Sequence, residues 1–208
     1  MSDKVSFIVP CMGRLWHLKR TIGSAVSHPD SEYVLVDWSC PDECGKWARE
    51  NHPGIKVVQI PGQQYFNMSR SRNEGAKKAS SDWLCFLDAD MILRHDFLEE
   101  CRKLMSEGVF VNFNMRNLPM DGYSGMNLCQ AKDFWGIGGY DAEMEGWGHE
   151  DTDMRERLLL SGVKVAHVSL SLAIHIDHGD EERVLHYQEK DKRKSEAANK
   201  AIGKEKRL

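Results

Sequence analysis

The chain has 208 residues, 41% hydrophobic, 29% charged and 9% aromatic, a balance that supports a sizeable core and excludes a disordered, collagenous or solenoid protein. The net charge of −4 is uneven: residues 189–208 carry eight Lys or Arg against four acids, so the tail is about +4 and the body about −8, which disfavours broad duplex binding by the body. No stretch reaches the ~18 apolar residues of a membrane span, and the N-terminus lacks a signal-peptide pattern; a cytoplasmic location is expected, with peripheral membrane contact through the basic tail as its variant.

In chain order, the apolar runs Val5–Pro10, Tyr33–Trp38, Ile55–Ile60 and Trp83–Leu87 read as strands, and their near-continuous apolarity predicts burial on both faces. Leu15–Ser27, Pro41–Asn51 and Met68–Ser80 read as helices between them, with Pro41 suited to a first turn. This rhythm predicts an α/β fold on a mostly parallel sheet, with ligands gathered at the carboxyl ends of the strands. The second half departs from it. Val109–Met115 and Met126–Ala131 read as strands on either side of a loop at Asn117–Gly125. Phe134–Gly148, with five glycines and two tryptophans, reads as a shaped loop, Glu150–Ser161 as a helix, Lys164–Ile176 as one strand and Glu181 onward as a polar helix. The expected organisation is a single domain over residues 1–188 and a basic helix or tail over 189–208.

The clearest chemical signal is Asp88-Ala89-Asp90 at the end of the fourth strand. Carboxylates at i, i+2 there suit a hard divalent cation whose other ligands are waters and phosphate oxygens; turn formation and helix capping are the competing roles. His175 and His178 end a later apolar run, and imidazole favours Mn²⁺ or Zn²⁺ over Mg²⁺. His17, His28, His52, His95, His167 and His186 read as ordinary histidines. Glu150, Asp151 and Asp153 stand at a helix start, where the dipole favours acids, and Asp151 suits a base if its site is partly dehydrated. Trp147 offers a flat face for a sugar ring, with Gly146 and Gly148 leaving room for a ligand to approach. Arg14, Arg70 and Arg72 lie near strand-to-helix edges, where a guanidinium clamps a diphosphate or makes a surface ion pair. Asp37 ends the second strand and suits a ribose or base contact. Cys11, Cys40, Cys44, Cys85, Cys101 and Cys129 contain no CxxC pair, and Cys40 with Cys44 lacks a second pair to complete a zinc site; reduced, mostly buried thiols are expected.

Taken together, these segments resemble glycosyltransferase family 2. Val5–Pro10 with Arg14, Leu35-Val36-Asp37, Ser71-Arg72-Asn73-Glu74-Gly75 and Phe86-Leu87-Asp88-Ala89-Asp90 are similar to its donor half. Gly138-Gly139-Tyr140-Asp141 and Gly146-Trp147-Gly148-His149-Glu150-Asp151 are similar to the C-terminal region shared by β-1,4-galactosyltransferases and chondroitin-polymerase-type enzymes. The resemblance spans about residues 5–180 and implies the GT-A fold, with a donor half to about residue 115 and an acceptor half over about 116–188. It further implies an inverting, metal-dependent transfer from a nucleotide sugar, a UDP-sugar foremost, to a hydroxyl of a glycan or related polymer, with Mn²⁺ or Mg²⁺ as cofactor. Under it Asp90, His175 and His178 hold the metal and Asp88 contacts metal or ribose. Pro10, Met12, Arg14, Asp37, Asn67, Arg72 and Asp88 fall at the donor, Trp147 and Glu150 at the acceptor, and Asp151 with Glu150 at the catalytic position. His175 stands where the galactosyltransferases place a methionine, and Trp38 where a second acid is usual. Without a stem or anchor, a bacterial or phage-like cytosolic enzyme is the expectation.

Three other readings compete. A nucleotidyltransferase would show a Gly-rich phosphate loop where Pro10-Cys11-Met12-Gly13-Arg14 stands. A nucleotide-sugar- or carbohydrate-binding module with weak catalysis is the second. The third is a transferase acting on DNA or lipid, in which the tail meets an acidic polymer or a membrane surface.

Overall fold

In a computed structural model, which describes residues 4–113 and 125–206, the first four apolar runs become β1 (Val5–Cys11), β2 (Ser31–Trp38), β3 (Lys56–Ile60) and β4 (Trp83–Phe86). Every residue of β1 and β4 is buried, as strands covered on both faces must be. β3 differs from expectation: it ends the sheet and is half exposed along its length. The crossovers are α1 (Leu15–Val26), α2 (Cys44–Asn51) and α3 (Met68–Lys78). α1 buries His17, Leu18, Thr21, Ile22 and Ala25, one helical stripe, and α3 starts where the Asn67 side chain accepts the Arg70 amide. α2 begins later than expected, because Pro41 lies in the turn before it and Glu43 takes a left-handed conformation.

β5 (Met91–Leu93) and α4 (Phe97–Arg102) follow the Asp88–Asp90 turn; both are too short to leave a periodic trace in sequence. β6 (Val109–Asn112) and β7 (Asn127–Gln130) flank residues 114–124, so the end of the expected strand Val109–Met115, most of the loop Asn117–Gly125 and the 115/116 boundary between halves lie outside the described residues. α5 (Ala131–Gly136) takes the start of the segment expected to be all loop, and irregular backbone begins only where Gly138 and Gly139 adopt φ of 81° and 74°. α6 (Glu150–Leu160) falls as expected. Lys164–Ile176 is two strands instead of one: β8 (Lys164–His167) pairs in parallel with β6, whereas β9 (Ala173–His175) pairs with β5, after a 3₁₀ turn at Leu170–Leu172. The C-terminal helix is likewise divided into α7 (Asp180–Val184) and α8 (Lys192–Glu205), the latter started by the Asp191 side chain accepting from the Arg193 and Lys194 amides.

The main sheet runs β3-β2-β1-β4-β7-β6-β8, and β5-β9 forms a separate two-stranded sheet. β1 pairs in parallel with both β2 and β4, so Cys11, Asp37 and the Asp88 turn emerge along one edge of the sheet. The two-stranded sheet carries the far end of the chain back to that edge: His175 pairs with Met91, and the Ile176 amide donates to the Asp90 carbonyl.

Candidate active site

The carboxyl edge opens into two adjoining cavities. Pro10, Met12, Arg14, Asp90, His175 and His178 line the first; Arg72, Gly148, Glu150, Asp151 and Thr152 line the second. Asp88 and Trp147 belong to both, as do Met68, Arg183 and Tyr187. Two expected donor residues are not brought to either. Asp37 spends its carboxylate inside the fold, accepting from the Cys40 amide at 2.8 Å and the Gly45 amide at 3.1 Å. Asn67 is buried as the cap of α3. Arg70 is half exposed and bonds Ala142 and Glu145 on the surface.

In the first cavity, Asp90 Oδ2 lies 2.8 Å from His178 Nε2 and 3.7 Å from His175 Nε2. Burial pushes the Asp90 carboxyl up, but hydrogen bonds with His175 and His178 outweigh it and hold it below the usual carboxylate range. The same bond to Asp90 raises His175. Asp90 Oδ1 and His178 Nδ1 are buried without a hydrogen-bond partner among the described residues. One carboxylate and two imidazoles with converging ligand atoms are a donor set that could hold a divalent cation. α1 supports this turn from below, because Thr21 Oγ1 donates to the Ala89 carbonyl at 2.7 Å and Ser24 Oγ accepts from the Leu93 amide at 2.9 Å. His17, read as ordinary in sequence, packs its ring 5.4 Å from that of His178.

The second cavity is organised by Arg72, which is fully buried. Its guanidinium donates to Asp151 Oδ1 at 2.6 Å and to Asp88 Oδ1 at 2.8 Å, and lies 3.5 Å from Glu150 Oε1. The Tyr140 hydroxyl donates to the same Asp151 oxygen at 3.1 Å. Burial opposes the charge on Arg72, but Asp151 and its neighbours overcome that and raise its pKa. Glu150 goes the other way: burial, then the adjacent Asp151 charge, push its carboxyl up to about 8. A carboxyl raised by burial beside a second acid is an arrangement suited to acid/base chemistry. Burial also raises Asp88, against the pull of Arg72.

The loop carrying Trp147 is held by α8. Ser195, Asn199 and Gly203 form the buried stripe of that helix. The Trp147 amide donates to Ser195 Oγ at 2.7 Å and Asn199 Nδ2 donates to the Gly148 carbonyl at 2.8 Å. Gly146 has φ 77°, and a Cβ there would fall 2.2 Å from Ser195 Oγ. Its size thus serves the helix contact, where sequence reasoning assigned it to ligand approach. Lys192 Nζ stands 4.2 Å over the Trp147 ring, so one face of the indole is already covered. The basic tail packs the inner face of α8 on the Trp147 loop. Arg183, on α7 and missed in the sequence, borders both cavities; only its position in the fold reveals it.

All six cysteines are buried, as expected, and none is paired with another in a disulfide. Among the described residues no helix is long and apolar enough to cross a membrane.

Comparison with known proteins agrees with this geometry. The model for glycosyl transferase family 2 matches residues 6–136, and one described as the N-terminal domain of galactosyltransferase matches residues 108–179. Mouse chondroitin sulfate synthase 3 is 29% identical over 161 residues, 62% of this chain and 18% of that protein. Bovine beta-1,4-galactosyltransferase 1 is 27% identical over 172 residues, 78% of this chain and 38% of that protein. The chain therefore spans well under half the length of these relatives. Two solved structures share the fold at 16% identity: S. aureus TarS, with a TM-score of 0.66 over 79% of this chain and 58% of that one, and mannosyltransferase PcManGT from Pyrobaculum calidifontis in complex with GDP-Man and Mn²⁺, with 0.67 over 80% and 55%.

Two outcomes test the geometry. Because Glu150 is held protonated in the folded chain, its contribution to stability is fully present below the ordinary glutamate range and is lost as pH rises through about 8. Urea unfolding of the wild type should therefore lose stability between about pH 5 and 8 relative to Glu150→Gln, whose profile lacks this component. Gly146→Ala combines a left-handed backbone with the Ser195 clash; it should cost about 1–3 kcal/mol in the same assay and speed hydrogen exchange in α8.

Proposed function

The chain belongs to glycosyl transferase family 2, and from that premise we propose an inverting transferase that moves a sugar from a nucleotide-sugar donor, a UDP-sugar foremost, to a hydroxyl of a glycan or related polymer. The observation that carries this reading is the meeting of the Asp88/Asp90/His175/His178 cavity with the Glu150/Asp151 cavity at Asp88 and Trp147. Such a junction suits a donor on one side and an acceptor on the other, with the transferred sugar between them.

Pro10, Met12 and the Asp88 turn form the walls for the nucleotide, and Arg14 and Arg183 present positive charge toward the diphosphate. Arg14 is shared with Glu182, on which it places both terminal nitrogens, to the side chain and to the carbonyl at 2.9 Å; that contact aims it. Asp90, His175 and His178 would hold the divalent cation, which when bound neutralises charge on the leaving diphosphate. That PcManGT binds a nucleotide sugar together with Mn²⁺ supports the same pairing here. On the acceptor side, Arg72 and Tyr140 fix one oxygen of Asp151, leaving the carboxylate as base for the acceptor hydroxyl. Glu150, protonated near neutrality, orients that acceptor by hydrogen bonding. As Asp151 takes the proton, the acceptor oxygen forms its bond to the anomeric carbon opposite the breaking bond to the diphosphate, and configuration inverts. The free face of Trp147 packs on a sugar ring.

Asp151→Asn should lower turnover roughly 100- to 10,000-fold, the range of a lost general base, while donor affinity by calorimetry stays within error; near-normal turnover defeats the assignment. Asp90→Ala and His178→Ala should each abolish Mn²⁺-dependent nucleotide binding in the same instrument, and unchanged binding removes the metal role. A panel of UDP-, GDP- and TDP-sugars assayed for nucleotide release identifies the donor, and absence of release from all of them favours a binding module.

A further inference from the structure

Away from the carboxylates, three thiols meet beside the first cavity. Cys11 closes β1, Cys40 follows the turn after β2 and Cys44 opens α2. Their sulfurs lie within 4.8 Å of one another, and all three residues are buried. A metal–sulfur bond of about 2.3 Å places the sulfurs of a three-thiolate site about 4 Å apart, so this triangle closes on a single ion with small side-chain movements. Among the described residues, only this trio and the Asp90 group converge so tightly.

The backbone around the trio is built for convergence. Ser39 and Glu43 bracket the Cys40 turn with φ of 48° and 54°, a left-handed conformation that non-glycine residues rarely adopt. Asp37 clamps the turn from within through the Cys40 and Gly45 amides. A donor also points at sulfur: the Gly13 amide donates to Cys40 Sγ at 3.3 Å, while the Cys44 thiol turns to the Cys11 carbonyl at 3.9 Å. Amide donors on sulfur orient and stabilise thiolate ligands, and cysteines packed only as small apolar groups have no use for them.

We propose that Cys11, Cys40 and Cys44 form a binding site for one thiophilic d¹⁰ cation, Cu⁺ or Zn²⁺, separate from the cation at Asp90. Soft sulfur ligands select these ions; three sulfurs satisfy Cu⁺, whereas Zn²⁺ takes a fourth ligand. Each thiol that ligates releases its proton to solvent, and no electron is transferred. The ion staples the end of β1 to the start of α2. Pro10 and Met12, which flank Cys11, line the first cavity, so the staple fixes that wall.

The test uses the full chain, reduced, metal-stripped and anaerobic, titrated with Cu⁺ against a chromophoric chelator. Zn²⁺ is titrated in a parallel arm on Asp90→Ala, which removes the other cation site. One ion should bind at one equivalent with thiolate-to-metal absorption in the ultraviolet, raise Tm by roughly 5–10 °C at about 100-fold over Kd, and slow alkylation of Cys40 by iodoacetamide at least about tenfold. Cys40→Ser should lose the absorption, and Cys129→Ala, remote from the trio, should keep it. The protection of Cys40 in the unsubstituted chain decides the matter even where a variant folds poorly. The proposal is overturned if neither ion is retained against the chelator, if Cys40→Ser binds as the parent does, or if Cys40 alkylates at the same rate with and without the ion.

Discussion

A buried guanidinium shared among three carboxylates is the constraint on which the rest of this structure turns. Arg72 has no access to water, and a charge in that position is tolerated only with partners that satisfy it. It finds them in Asp88, on the turn after β4, and in Glu150 and Asp151, on the first turn of α6. The turn after β4 and the start of α6 are thus tied through one side chain. One positive charge cannot balance three negative ones, and burial together with the neighbouring acids raises both Glu150 and Asp88.

Asp88 also sets the place of Asp90 two residues on, and there backbone pairing takes over from ionic attraction. The β5–β9 ladder is only three residues long, yet it brings His175 opposite Met91 and so carries two imidazoles across more than eighty residues of chain to one carboxylate. α1 braces the turn from the opposite side through Thr21 and Ser24. A helix early in the chain, a turn in its middle and a strand near its end share responsibility for one group of ligand atoms.

This distribution explains what was legible in sequence. β1, β2 and β4 announce themselves because burial on both faces leaves continuous apolar runs, Asp88 and Asp90 stand just past the end of β4, and Glu150 and Asp151 stand at the start of α6. β5 and β9 are invisible, since three residues carry no period, and their pairing is what gives His175 and His178 a shared partner. Asp37 and Asn67 look like ligands in sequence because strand-ending Asp and helix-starting Asn occupy ligand positions, but unpaired amides nearby claim both side chains first. Arg183 and His17 carry no motif and gain meaning only from what folds against them. The converging cysteines are hidden for the same reason: Cys11 is distant in sequence from Cys40 and Cys44, and a parallel strand pair makes them neighbours.

The packing of α8 on the Trp147 loop has a consequence for synthesis. The loop leaves the ribosome about fifty residues before the Ser195–Gly203 stripe that steadies it, so the sheet and the Asp90 turn can form while that loop still lacks its brace. Domains fold as they emerge, and here the order of emergence places the half that carries β1–β4 first. A ribosome stalled ahead of α8 would display the sheet and the Asp90 turn with the Trp147 loop still unbraced.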